Sequence, residues 1–376
     1  MYFKDADNEV SYKRDADEQF EYLNVSRYNT PLFPMKAISE FFSSAFKAQA
    51  AEDGEGFEHV FFINMIHLDR LHYLEFFAKY FPDCVFDYKH KMHKSYSLEI
   101  KTTKGLYYLL HVVNVFAVFM SMFAPEYLDL SDSTLEKSIR SINVIDAPFY
   151  IRNLFAVNFL TSKKRFSKFK RELEKTQRYK IEFALGATAS QRRDFIREQL
   201  PFNKAILDIG CGEGFYAMAF APKIDDHYYA VDIDVSCLEM VKKKAARRQI
   251  ENILIYDALD AFLATYNEGE VDIILIEVIE HMPLEQAELL VKRLLEDVHF
   301  ETLVITTPNA DFNSFYELSG FRHDDHDWEM GKVDFEVWIA KILAGYPCTY
   351  TFAAIGDCVD GIATSQGVIV KGGRGV

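Results

Sequence analysis

Glu277, Glu280 and His281 fall within the pentapeptide EVIEH, directly behind the apolar run VDIILI. Two carboxylates and an imidazole at i, i+3 and i+4 converge on one point if the chain turns helically there. Such a group can hold a divalent ion or supply a general base. EVIEH alone does not demand a metal. Downstream, however, TTPNADFN leads into FRHDDHDWEM, a loop carrying His323 and His326 that can fold back over the same point. Two Glu and two His make a mixed oxygen and nitrogen shell suited to Mg²⁺, Mn²⁺ or a similar ion, with positions left open for substrate.

A second motif lies upstream. AILDIGCGEG, residues 205–214, reads as a strand ending in a glycine-rich turn that opens a helix. Gly210, Gly212 and Gly214 permit the tight turn and a close backbone approach to a ligand, and the helix N-terminus offers unpaired N–H groups. The next strand ends in YAVDID, which places Asp232 about 20 residues on, where an acidic side chain accepts hydrogen bonds from ribose hydroxyls. NAD calls for G-x-G-x-x-G, whereas this loop is G-C-G-E-G. Strand, then D-x-G-C-G-x-G, then an acid-ended strand resembles the class I S-adenosylmethionine-dependent methyltransferases over about residues 185–376. The resemblance implies S-adenosylmethionine, with Asp208, Gly210, Gly212 and Asp232 matching the methionine-side and ribose-side positions, Asp257 with Ala258 at the adenine, and Gly214 a further cofactor-binding candidate of the same loop.

Four further motifs in order narrow this. Q-R-x-x-F (Gln191, Arg192, Phe195), E-x-x-E-H, T-P-N-x-x-F-N (Thr307 to Asn313), and F-R-x-x-D-H-x-x-E followed by F-x-x-W (Phe321 to Glu329, Phe335, Trp338) resemble the small-RNA 3′-terminal 2′-O-methyltransferases. That resemblance implies metal-dependent methylation of the 2′-hydroxyl of the last nucleotide of a small or cleaved RNA. The implied metal ligands are Glu277, Glu280, His281 and His326, the last chosen over His323 because it follows Asp325 in the D-H position. His281 is also a candidate base, and Arg192, Arg322 and Gln191 are candidates for holding RNA. Trp328-Glu329-Met330 replaces the family's F-E-W, and Lys332 stands for the basic residue of its T-R pair. A small-molecule O-methyltransferase is the alternative; it shares the E-H behind the strand but has no need of His326.

These motifs require a sheet. From Lys204 onward, short apolar runs (AILDIG, YYAVDI, ILIYD, VDIILIE, TLVITT) alternate with helical stretches, predicting an α/β fold with a mostly parallel, doubly wound sheet. CTYTFAAIG and TSQGVIVKG, with no helix between them, are expected to pair antiparallel at one edge. The reading divides the chain into residues 1–180, aromatic-rich and mainly helical or mixed, with a hairpin of YSLEI and LYYLL around KTTKG, and residues 181–376, the methyltransferase domain. Bacterial members of the family dock RNA-repair proteins through their N-terminal regions, so the first domain is a candidate binding module for RNA, an RNA ligase or a polynucleotide kinase-phosphatase.

The 376 residues carry a formal charge of −15, which argues against nonspecific coating of nucleic acid and confines any RNA contact to local patches. SKKRFSKFKRELEKTQRYK, the most basic stretch, reads as a solvated linker helix or a phosphate-contacting arm; KKKAARR at 242–248 reads as an exposed helix face. MYFKDADNEV is not a signal peptide. The uncharged run Leu106 to Ala124 approaches a membrane span but, holding His111, Asn114 and Ser121, is expected in a core. Five scattered cysteines without C-x-x-C spacing suit a reducing cytoplasm.

Overall fold

A computed structural model describes residues 12–14, 21–23, 32–68, 70–92, 94–122, 131–267, 269–318 and 320–372. The chain divides into two compact units, Met1–Tyr179 and Lys180–Val376.

In the first unit, short strands β1 (Tyr12–Arg14) and β2 (Glu21–Leu23) pair antiparallel. Strands β3 (His59–His67), β4 (Cys84–Met92) and β5 (Ser95–Thr102) form an antiparallel sheet in the order β3-β5-β4. Here the expected hairpin is corrected: YSLEI pairs with β3 and β4, and LYYLL instead begins the helix Leu106–Ser121. The reason is a cap from far upstream. Gly105 has no side chain to offer, and the Asp53 carboxylate accepts hydrogen bonds from the N–H groups of Leu106 (2.6 Å) and Tyr107 (2.8 Å). An added Cβ on Gly105, which has φ +105°, would lie 2.9 Å from Asp53 Oδ1.

This helix is buried on every side from Leu109 to Ser121, packing against the helices Leu32–Phe41 and Asp132–Val144 and against β3 and β5. Its polar groups find partners in protein: Asn114 Nδ2 donates to Ser141 Oγ, His111 Nδ1 lies 2.8 Å from the same oxygen, and Ser121 Oγ donates to the Val118 carbonyl. Burial, with Arg140 adding to it, pulls the His111 pKa down to about 3. No described helix is long and apolar enough to cross a membrane; Phe123 and Ala124, the end of the apolar run, and the MYFKDADNEV segment lie outside the described residues. The basic segment forms the helix Lys163–Leu173, whose Phe166, Phe169 and Leu173 are buried in this unit while its lysines stay at the surface.

The second unit is one eight-stranded sheet. Its strands are β6 (Ile181–Glu182), β7 (Ile206–Ile209), β8 (Tyr228–Val231), β9 (Ile253–Tyr256), β10 (Val271–Ile276), β11 (Phe300–Pro308), β12 (Cys348–Val359) and β13 (Ile362–Gly372), in the order β6-β12-β13-β11-β10-β7-β8-β9. The run from β11 to β9 is parallel; β13, β12 and β6 are antiparallel additions. This is the anticipated doubly wound sheet, with the two-residue β6 covering the edge of β12. Every residue of β10 is buried, as a central strand with both faces covered demands. Leu207, Ile273, Leu275 and Leu303 join one core with the helices Leu284–Asp297 and Lys332–Leu343, and Ile206, Ile274, Ile276 and Val304 join the other with Ile196, Phe220 and Val241. Each such side chain contributes about 1.5–3 kcal/mol by leaving water.

One carboxylate opposes this burial. Asp272 on β10 is fully buried, and burial pushes its pKa up to about 6, against partial relief from Thr302 and Lys204. A carboxyl whose folded pKa lies above its unfolded one stabilises only while protonated. Its contribution is complete below the unfolded pKa, declines as pH rises towards 6, and becomes a constant penalty of about 2–3 kcal/mol above it. Asp272→Asn is therefore expected to raise the melting temperature at pH 7.5 and to change it little at pH 4. An equal effect at both pH values in thermal unfolding would refute this origin.

Candidate functional site

Strand order reverses beside β7: β8 and β9 follow on one side, β10 and β11 on the other. A crevice opens at the carboxyl ends of strands at such a point. A cleft of about 720 Å³ lies there, lined by Gly210, Asp232, Ile233, Ala258, Glu277, Val278, His281 and the start of the helix Leu284–Asp297, among others. The glycine motif and the E-x-x-E-H motif thus face one cavity.

Their contact is steric as well. Gly210 has φ +72°, and a Cβ there would lie 2.4 Å from Val278 Cγ2, so only glycine lets the loop after β7 press against the turn after β10. Asp232 braces the same loop: its carboxylate accepts from the Gly212 N–H at 2.7 Å and the Asp234 N–H at 2.9 Å. Asp208 lies buried beneath, accepting from the Tyr228 hydroxyl at 2.7 Å, and burial together with Asp232 pushes its pKa up to about 7. Gly212 and Gly214 shape the loop with φ +51° and +79°. Asp257 is exposed and is not among the residues lining the cleft, whereas its neighbour Ala258 is.

The E-x-x-E-H turn begins with Glu277 in a left-handed conformation, φ 55°, which costs a non-glycine residue about 1–3 kcal/mol. Its N–H donates to the Thr306 carbonyl, and its carboxylate accepts from Thr306 Oγ1 at 2.9 Å and pairs with Arg192 Nη1 at 3.2 Å. The single 3₁₀ turn Ile279–His281 then brings round Glu280 and His281. Potential ligand atoms of Glu280, His281 and His326 all lie within 4.8 Å of one another. Glu277 is not part of that cluster; it is held towards Arg192.

Three features fit this cluster to a cation. Glu280 is fully buried; Oε2 accepts from Thr307 Oγ1, but Oε1 has no hydrogen-bond partner. Burial, then the Glu277 charge, drives its pKa well above the carboxylate range, a cost that a neighbouring cation reverses. His281 Nδ1 lies 3.2 Å from the Asp325 carbonyl and 3.3 Å from its carboxylate, and His326 Nδ1 lies 2.6 Å from Glu329 Oε1. Facing acceptors alone, each Nδ1 must carry the proton, so each ring is left with an Nε2 lone pair, as metal-binding histidines require. The set of one carboxylate and two imidazoles suits a divalent ion of intermediate softness.

Glu329 is the residue that sequence reasoning left without a role. It accepts from Arg322 N–H at 2.7 Å, Asn313 Nδ2 at 2.6 Å and His326. Burial alone would raise its pKa, but these donors outweigh it and keep the carboxyl below its ordinary value. The i, i+3 spacing from His326 was the available signal.

The three side chains proposed to hold RNA are engaged within the protein. Arg322 donates from Nε to Asn313 Oδ1, from Nη1 to the Thr364 carbonyl and from Nη2 to the Asn309 carbonyl, pinning the histidine loop to β13 and to the segment that follows β11. Gln191 is buried and its Nε2 donates to Gly186, Ala184 and Asp357. Arg192 bonds Ser365 Oγ besides pairing with Glu277. His323 is exposed, its ring stacked edgewise on that of His326 at 5.1 Å.

Comparisons with known proteins bear on both units. Residues 1–178 match the Hen1 N-terminal domain, and residues 206–297 match a methyltransferase domain. The small RNA 2′-O-methyltransferase of Caenorhabditis elegans is 26% identical over 184 residues, 42% of this chain and 42% of that protein. That of Xenopus tropicalis is 33% identical over 83 residues, 22% of each, and that of Arabidopsis thaliana 23% identical over 208 residues, 48% of this chain and 22% of that one. The chain thus spans less than half the length of these relatives. A chain in a structure of the Pnkp1/Rnl/Hen1 RNA repair complex superposes with a TM-score of 0.78 at 23% identity, covering 95% of this chain and 86% of that one, which establishes the shared fold.

Proposed function

Starting from a chain that resembles the small-RNA 2′-O-methyltransferases in its second unit and matches the Hen1 N-terminal domain in its first, we propose that it transfers methyl from S-adenosylmethionine to the 2′-hydroxyl of the 3′-terminal nucleotide of an RNA. The observation that carries this reading is the cluster of Glu280, His281 and His326, with an orphaned carboxylate oxygen, whose member His281 lines the cleft together with Gly210 and Asp232.

When bound, S-adenosylmethionine supplies a sulfonium methyl and a divalent ion supplies the positive charge that acidifies a coordinated hydroxyl. The chain's own residues do the rest. Asp232, held by two backbone N–H groups, presents its remaining lone pairs to ribose hydroxyls, and Gly210 leaves the backbone open to the cofactor. Glu280, His281 and His326 would hold the ion, and Asp325 and Glu329 fix the two rings through Nδ1, which leaves Nε2 as the ligating atom. Glu277 stands beside them at the cleft wall, its charge offset by Arg192, ready to complete the shell or to accept a proton. A vicinal 2′,3′-diol would offer such an ion two oxygens, whereas an internal ribose, with its 3′-oxygen esterified, would not.

For the first unit we propose a docking role towards an RNA ligase or a polynucleotide kinase-phosphatase, supported by the fold shared with a chain of an RNA repair complex. Five free cysteines suit a reducing cytoplasm.

The test is labelled methyl transfer to a short RNA ending in a 2′,3′-diol, beside the same RNA with a 3′-phosphate and with a 2′-deoxy end. Labelling of the diol alone, abolished by EDTA and restored by Mg²⁺ or Mn²⁺, is expected. Metal-independent methylation of a phenolic small molecule with no labelled RNA would instead establish the alternative reading.

A further inference from the structure

Consecutive residues on two segments point in opposite directions beside Glu277. On the helix Thr188–Gln199, Arg192 turns inward to Glu277 while Arg193 turns outward; on the loop after β7, Tyr216 is buried while Phe215 stands 44% exposed. The two outward residues meet, with the Arg193 guanidinium 5.5 Å from the centre of the Phe215 ring. One turn further along the helix lies Arg197, its side chain half exposed. Exposed Lys223 stands over the rings of Phe202 and Phe220 at 5.2 and 5.5 Å.

Asp194 alone pairs with both Arg193 (3.5 Å) and Arg197 (3.3 Å). The Lys223 pKa is lowered by partial desolvation and then by the Arg197 and Arg193 charges, with Asp194 opposing. In a chain of net charge −15, such crowding is relieved by an anion from outside. An exposed aromatic face backed by a guanidinium, continuous with a row of cations, suits a single strand: a base stacks on the ring and the following phosphates lie along the cations.

We propose that Phe215, Arg193, Arg197 and Lys223 form the platform for the single-stranded RNA upstream of the methylated nucleotide. The proposal rests on the RNA reading above and deepens it. Because Arg192, the neighbour of Arg193, pairs with Glu277 at 3.2 Å, the platform begins beside the reaction centre.

The experiment uses the full chain with a fluorescein-labelled single-stranded RNA and, separately, a nucleoside 5′-monophosphate carrying the same diol. Phe215→Ala is expected to raise KM for the longer RNA by about tenfold, consistent with loss of one stacked base, and Phe215→Trp to restore it. Arg193→Gln with Arg197→Gln and Lys223→Gln is expected to lessen the slope of log Kd against log salt by about 2. Transfer to the mononucleotide, cofactor binding and melting temperature should stay at wild-type values. If the wild type methylates RNA and these variants leave KM and the salt slope unchanged, the platform is wrong and the RNA reading survives. Equal losses on RNA and mononucleotide also overturn it, since they mark a structural role. A wild type that neither binds nor methylates RNA overturns both.

Discussion

His326→Ala is expected to reduce metal-supported methyl transfer to a 2′,3′-diol RNA by on the order of a thousandfold, about 4 kcal/mol of transition-state stabilisation. The size follows from the cluster's composition. Glu280, His281 and His326 are the groups whose ligand atoms converge, so removing one takes away a third of them and half of the imidazoles. Glu280 Oε1, already without a partner, then faces a weakened cation in a fully buried setting. The loss should appear in metal affinity by calorimetry as well as in rate. Cofactor binding should persist, because the Gly210 and Asp232 side of the cleft does not contact His326 through any of its hydrogen bonds. Wild-type turnover by His326→Ala in the presence of EDTA would remove the metal from the mechanism.

Glu329→Gln comes second and is the sharper test of the geometry. The wild-type carboxylate offers acceptors at both oxygens: Oε1 takes Arg322 N–H and His326 Nδ1–H, and Oε2 takes Asn313 Nδ2–H. A glutamine has one oxygen and one NH₂, so either His326 or Asn313 must confront a donor. With the carboxylate gone, the His326 ring loses both the charge that makes Nε2 basic and the anchor that orients it. Losses of about 10–100-fold in metal affinity accompany such changes. Methyl transfer should recover at saturating metal, which distinguishes this variant from His326→Ala. Unchanged metal affinity by titration would mean that His326 needs no support from Glu329.

Much of the site was legible because its signals are local. The D-x-G-C-G-x-G turn behind a strand, the acid at the end of the next, and two carboxylates with an imidazole inside five residues are each short-range patterns with one economical geometry. The cleft lined jointly by Gly210, Asp232, Ala258, Glu277 and His281 is their sum. The strand runs of the second unit were equally readable, since a fully buried run such as VDIILI has few alternatives between turn signals. The first unit was less so. An apolar run bounded by KTTKG suits a strand or a buried helix equally, and the choice was made by Asp53, a cap supplied from outside the local window.

By itself, then, the sequence determined the doubly wound sheet, the cofactor-type loop and which residue types could meet a metal, because strand periodicity, glycine turns and i, i+3, i+4 spacing are properties of the chain within a few residues. Tertiary structure alone decided what each charged side chain does. Arg322 and Gln191 look in the sequence like free polar groups near an RNA site, but partners more than a hundred residues away for Gln191, and on β13 for Arg322, take up their donors. Glu277 belongs to the same pentapeptide as Glu280, yet its left-handed backbone and the Arg192 guanidinium turn its carboxylate aside from the cluster. Hydrogen-bond directions and burial set those roles, and both depend on neighbours brought together only when the sheet closes.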